Sequence, residues 1–249
     1  MLITIVFLAG LWAGLQNTLA GGGSFVTLPA LMLTGMSPLA ANITSTLALF
    51  PAQVSTGLAG RKLASGAGQL SFKALFWISL AGGALGGLLL LNTPSSVFAR
   101  LVPWLVLFAT SVFAWGNFLR KPSAPGTHLG PTAAALMQFL IAIYGGYFGA
   151  GMGILQLAAF SIEGHPLARA NALKNLISAV IYSVATATFI IAGRVSWYEL
   201  VILLVGATVG GYVGGALGQR LPAKFLRLLV ISVGSGMTLY YFWATYFAQ

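Results

Sequence analysis

Gly21-Gly22-Gly23-Ser24-Phe25-Val26-Thr27-Leu28-Pro29 interrupts an apolar run that starts at Leu2, and Gly149-Ala150-Gly151-Met152-Gly153-Ile154 interrupts another that starts at Thr132. Clustered glycines are poor helix formers and readily supply turns. Each cluster is followed by an apolar run too short to cross roughly 30 Å of hydrocarbon by itself, Phe25 to Leu33 and Ile154 to Ile162. Two broken helices in matching places therefore decide the fold.

Outward from these breaks the same order of features recurs. Pro38-Leu39-Ala40 is answered by Pro166-Leu167-Ala168, Asn42 by Asn171, and Ser71-Phe72 by Ser196-Trp197. Gly82, Gly86 and Gly87 are answered by Gly206, Gly210 and Gly211, and the spacing stays between 124 and 129 residues. A constant offset over such a length marks an internal duplication. The remaining apolar runs are Leu2 to Leu19, Leu39 to Leu58, Phe72 to Leu91, Val97 to Leu119, Thr132 to Phe148, Leu167 to Ala192, Trp197 to Leu217 and Phe225 to Phe247. The polar, Pro/Gly-rich stretch Arg120 to Pro131 reads as a linker. It divides the chain into a first transmembrane repeat (1–119), a cytoplasmic linker (120–131) and a second repeat (132–249), each with about five segments.

Composition fixes the class. Of 249 residues, 58% are apolar and 6% charged, a surface that only a lipid bilayer can solvate, so the expected fold is an all-α polytopic membrane protein. Lys and Arg total 12 against two acidic residues, Glu163 and Glu199. In a soluble protein the resulting +10 would suggest nucleic acid; in a membrane protein it reads as cytoplasmic loop charge, and no nucleic-acid partner is expected. The absence of Cys excludes disulfides and thiolate metal sites, and His128 and His165 alone make no metal cluster, so neither metal nor cofactor is expected. Met1 to Leu19 lacks a basic region ahead of its apolar run and reads as a retained helix, not a signal peptide.

The basic residues also orient the chain. If each half makes an odd number of net crossings, Arg61, Lys62, Lys73, Arg120, Lys121, Arg169, Lys174, Arg220, Lys224 and Arg227 fall inside, and only Arg100 and Arg194 fall outside. An even count divides the same residues equally. The odd count inverts the second half relative to the first, the architecture of many secondary transporters, and places both termini outside. Parity is the same whether the first two segments of each half are two crossings or one re-entrant hairpin.

A helix that starts inside the bilayer presents unpaired amide donors and a partial positive charge, so two such starts facing each other form an anion receptor. The candidate binding residues are accordingly Gly22, Gly23 and Ser24 at the first break, with Ser24 as cap, and Gly151, Gly153 and Gln156 at the second, with Gln156 in the first turn. Polar residues of the following segments join them: Asn42, Thr44 and Ser45, matched by Asn171, Lys174 and Asn175. Lys174 lies about two turns into an apolar helix, where a charge is costly. Two roles fit it, attraction of substrate and snorkelling to the cytoplasmic surface. Glu163 and Glu199 lie near segment ends, so no buried carboxylate is expected to bind a cation or relay protons. The glycines at 82 to 87 and 206 to 215 suit close helix packing.

Gly21-Gly22-Gly23-Ser24-Phe25 with Pro29, Pro38, Ala40-Ala41-Asn42-Ile43-Thr44-Ser45, Asn171-Ala172-Leu173-Lys174-Asn175, and the helix Gly206 to Gly215 closed by Arg220-Leu221-Pro222 together resemble the sulfite exporter TauE/SafE family, also called toluene-sulfonate uptake permeases. The resemblance covers essentially the whole chain. It implies a bacterial or archaeal plasma-membrane permease for sulfite, sulfonates, thiosulfate, related sulfur anions or small carboxylates. Members often repeat an Ala-Thr-Ser type run in both halves, whereas this chain has Thr44-Ser45-Thr46 in the first and Lys174-Asn175 in the second. The expected partners are a small anion and the lipid bilayer, with a homo-oligomer left open. Competing functions are a passive anion channel, a non-transporting membrane partner, and an intramembrane serine hydrolase built on Ser24, the last needing a base that neither histidine supplies from a span.

Overall fold

A computed structural model describes residues 2–19, 22–115, 129–217 and 223–247. The first half forms α1 (Leu2–Leu19), α2 (Ser24–Met32), α3 (Pro38–Gly60), α4 (Phe72–Leu91) and α5 (Ser95–Ala114). The second forms α6 (Pro131–Tyr147), α7 (Met152–Ile162), α8 (Leu167–Ile191), α9 (Trp197–Leu217) and α10 (Ala223–Tyr246). Among the described residues the protein is all-α, apart from a 3-10 turn at Arg61–Leu63 and an isolated bridge between Ala67 and Leu70. Linker residues 120–128 lie outside the described residues, as do Gly21 and the run Arg220-Leu221-Pro222.

Helix starts follow local chemistry. Ser37 and Ser71 accept the amides of Ala40 and Ala74, capping α3 and α4, and Pro38 and Pro131 occupy first-turn positions where the missing amide costs nothing. Among the described residues, Phe72–Leu91, Ser95–Val112, Arg169–Ile191 and Trp197–Gly214 are long and apolar enough to cross a membrane. Large apolar side chains point outward, including Trp77, Ile191, Tyr212 and Leu239, so the exterior suits lipid.

Packing pairs the halves. α1 lies along α9, α4 along α6, and α3 against α8, with α5 against α10. The first two pairs run parallel: Gly14 meets Ala207 and Leu15 meets Gly214, while Ser79 meets Gln138 and Gly82 meets Ala142. The other two run antiparallel. Gly57 faces Leu176 while Gly60 faces Ala172, and Thr110 meets Gly234 while Trp104 meets Phe242. Exchanging α1–α5 for α6–α10 maps the pair α1/α9 onto α6/α4, and α3/α8 and α5/α10 onto themselves.

The glycine stripes are what let these helices approach. A Cβ at Gly82 would stand 2.6 Å from the Ala142 methyl and 2.9 Å from the Phe139 carbonyl oxygen, so α4 and α6 touch backbone to backbone. Both stripes are consumed inside the chain.

Gly82→Val should therefore destabilise the protein by about 1–3 kcal/mol in a detergent unfolding titration. Gly236→Ala, where a Cβ meets nothing within 4 Å, should cause no loss.

Candidate functional site

The two glycine breaks meet in the middle of the bundle. Gly23 packs against the Ala13 carbonyl, in the body of α1, so the chain has doubled back before α2 begins. A Cβ at Gly151 would be 3.5 Å from the Phe25 ring and 2.7 Å from the Ala109 methyl, which brings the start of α7 against the start of α2. Gly22 and Gly151 have φ of +85° and +81°, a conformation that L side chains rarely adopt, so glycine is required at both turns.

Side chains brace the breaks in matching ways. Gln16 Nε2 donates to the Gly22 carbonyl at 3.2 Å, and Tyr144 Oη donates to the Ala150 carbonyl at 2.7 Å. Each donor sits six residues before its acceptor, near the end of the first helix of its half. Tyr182 Oη donates to the Gly149 carbonyl at 3.3 Å, tying α8 to the second break. Sequence reasoning missed Gln16, Tyr144 and Tyr182. The repeat offset carried a signal, since Gln16 and Tyr144 occupy equivalent places, and Tyr182 falls where Gln53 stands in the first half.

Several expectations are corrected at this point. Ser24 does not cap α2: Gly23 is the N-cap and makes no side-chain cap, and Ser24 is the buried first residue of the helix. Gln156 lies in the second turn of α7, because that helix begins at Met152. Glu163 is a buried carboxylate after all, accepting the Leu129 amide at 3.3 Å and packing against Gly68. Snorkelling is not the role of Lys174, since the side chain is 1% exposed and its Nζ reaches no solvent.

The predicted residues do not form one cluster but occupy three levels along the bundle. Gly22, Gly23, Ser24 and Gly151 lie at the centre, with Gly153 buried in the first turn of α7. Toward one end are Asn42, Thr44 and Ser45. Asn42 Nδ2 donates to the Tyr147 carbonyl at 3.0 Å, satisfying the exposed end of α6, and Ser45 Oγ bonds Thr27 Oγ1 at 2.6 Å. Thr44 is fully buried with its hydroxyl unpartnered.

Toward the opposite end are Gln156, Lys174 and Asn175, with the half-buried Asn171 one turn further on. Ser178 Oγ donates to Gln156 Oε1 at 2.8 Å. Gln156 Nε2, Lys174 Nζ and Asn175 Oδ1 are buried without partners. Lys174 is eight residues from Tyr182, about 12 Å along α8. Because α3 runs antiparallel to α8 with Gly57 opposite Leu176, Ser45 is displaced from Lys174 in the other direction along the bundle.

His128 lies outside the described residues, and His165 is in the turn between α7 and α8.

Two further clefts occupy equivalent positions. One, of about 600 Å³, is lined by Leu2, Val6, Thr34, Tyr198, Glu199 and Ile202, between the start of α1, the turn after α2 and the start of α9. Its counterpart between α6, the turn after α7 and the start of α4 includes Ala134, Glu163 and Leu75 and encloses only about 10 Å³.

The profile described as "Sulfite exporter TauE/SafE" matches residues 6–241. The chain is 28% identical over 243 residues to a "Probable membrane transporter protein" of Haemophilus influenzae, covering 95% of this chain and 93% of that protein. It is 28% identical over 241 residues to "Probable membrane transporter protein YfcA" of Escherichia coli K12, covering 96% and 88%. It is 26% identical over 248 residues to "Probable membrane transporter protein ORF9" of a Sinorhizobium species, covering 96% and 91%. No solved structure matches at a significant level. With its long apolar helices, the chain is a multi-pass membrane protein.

The Thr27–Ser45 pair supplies a test of the tightness of the α2–α3 contact. A double-mutant cycle with Thr27→Val and Ser45→Ala, read by unfolding in detergent, should give a coupling of about 0.5–1.5 kcal/mol, each single change leaving one buried hydroxyl unpaired.

Proposed function

Because the chain belongs to the sulfite exporter TauE/SafE family, we propose that it is a permease carrying a small sulfur-containing or organic anion between two inverted repeats. The observation that carries this reading is the meeting of two glycine-broken helix starts in the buried centre, flanked by unpartnered donors at Lys174 and Gln156. Helix starts of this kind attract negative charge, and irregular backbone at membrane depth is tolerated where protein encloses it. Gly22, Gly23, Ser24, Gly151 and Gly153 form the central station; Asn42, Thr44 and Ser45 line one approach and Gln156, Asn171, Lys174 and Asn175 the other.

Antiparallel pairing of the equivalent helices α3/α8 and α5/α10 supports inversion, because a two-fold axis along the membrane normal would leave them parallel. Together with the basic residues of the α3–α4 loop and linker, inversion supports a reading in which both termini lie outside a bacterial or archaeal plasma membrane. The unequal volumes of the two equivalent clefts are in keeping with alternating exposure of the two faces. Export needs no coupling ion where the cytoplasm is negative, since each negative charge that leaves gains about 2.3 kcal/mol per 100 mV.

Flux of radiolabelled sulfite, sulfonate and carboxylate in proteoliposomes, with and without an imposed potential, tests the proposal. Saturable flux that supports counterflow is expected for at least one of them. Lys174→Ala should lower it at least tenfold, while Lys121→Ala in the linker should leave it within twofold. Ohmic current without counterflow would mark a channel and overturn the carrier reading.

A further inference from the structure

The two halves are equivalent in layout but not in charge. By the repeat offset that matches Asn42 with Asn171, the counterpart of Lys174 is Ser45. Ser45 is internally satisfied, its hydroxyl 2.6 Å from that of Thr27. Lys174 is not: its Nζ is buried and has no hydrogen-bond partner.

Among the described residues no counter-charge reaches it. The sequence has only two acidic side chains. Glu163 holds the Leu129 amide and packs against Gly68, and Glu199 lines the cleft beside Leu2 at the start of α9. An ammonium group held in a protein interior within a membrane without a counter-charge is strongly destabilising.

A second donor lies on the neighbouring helix α7. Gln156 Oε1 is fixed by Ser178 Oγ, which leaves Gln156 Nε2 buried and unpartnered, and Ser178 is one helical turn from Lys174 on α8. One full positive charge and one fixed amide donor on adjacent elements match a single ionised oxyanion group.

We propose that Lys174 and Gln156 form an off-centre station for a small oxyanion bearing one ionised group, sulfonate- or carboxylate-like, and that this station makes the protein select monovalent over divalent anions. The proposal rests on the permease reading above and adds the charge of its substrate. A monoanion forms a neutral pair with Lys174. A dianion leaves one buried negative charge uncompensated, and no cation at Ser45 or elsewhere in the first-half cluster makes up the difference.

The test uses the full-length protein in proteoliposomes and in detergent, with methanesulfonate as the monovalent probe and sulfate as the divalent one, both fixed in charge near neutral pH. Methanesulfonate should compete with whichever labelled anion is carried at least tenfold better than sulfate does, and should raise the melting temperature in detergent where sulfate does not. Lys174→Gln should erase this preference, Lys174→Arg should keep it, and the exposed surface change Lys62→Gln should leave it as it is. Saturable flux in which sulfate competes as well as methanesulfonate overturns the station while leaving the permease intact, and this wild-type comparison stands even if Lys174→Gln fails to fold. Unchanged selectivity in a folded Lys174→Gln protein overturns it equally. Absence of saturable flux for every anion, with no thermal shift by methanesulfonate, removes the permease reading and the station together.

Discussion

A helix interrupted within a membrane exposes amides and carbonyls that hydrocarbon cannot satisfy, and everything else in this protein is arranged around that constraint. Each break is braced by side chains of its own half: Gln16 reaches Gly22, Tyr144 reaches Ala150, and Tyr182 reaches Gly149. Across the interface, Phe25 and Ala109 of the first half stand against Gly151 of the second, which ties the candidate site to the packing of the two halves.

That packing is in turn a matter of small residues. The α1/α9 and α4/α6 seams bring backbones into contact at Gly14, Gly82, Gly206 and Gly210, and association of this kind relies on van der Waals contact, since lipid supplies no hydrophobic drive between helices. Close seams at the flanks hold α3 and α8 against one another in the middle, and these are the helices that carry the polar residues. Rigid outer pairs and polar inner helices divide scaffold from site along the same sequence.

Much of this was legible in the residues. Glycine clusters placed both short helices, and the bounds of α1, α4 and α9 coincide with the apolar runs Leu2 to Leu19, Phe72 to Leu91 and Trp197 to Leu217. Apolar patterning reports such ends directly because the bilayer penalises polar interruptions. The role of Ser24 was not legible, since a serine at a helix start suits both the cap and the first turn, and only the backbone at Gly23 decides between them. Burial of Glu163 depends on a distant turn at Gly68. The separation of Ser45 from Lys174 depends on α3 and α8 running antiparallel, a relation that equivalent sequence positions do not reveal. Gln16 and Tyr144 escaped notice because an amide and a phenol do the same work at equivalent positions.

The central claim is that the second half is inserted upside down relative to the first, so that the two breaks converge from opposite faces. Because the natural chain contains no Cys, single cysteines at the exposed Lys62, after α3, and Arg194, after α8, can be probed in intact cells with a membrane-impermeant maleimide. Labelling of Arg194→Cys with protection of Lys62→Cys until the membrane is opened is the predicted result; labelling of both from the same side would contradict it.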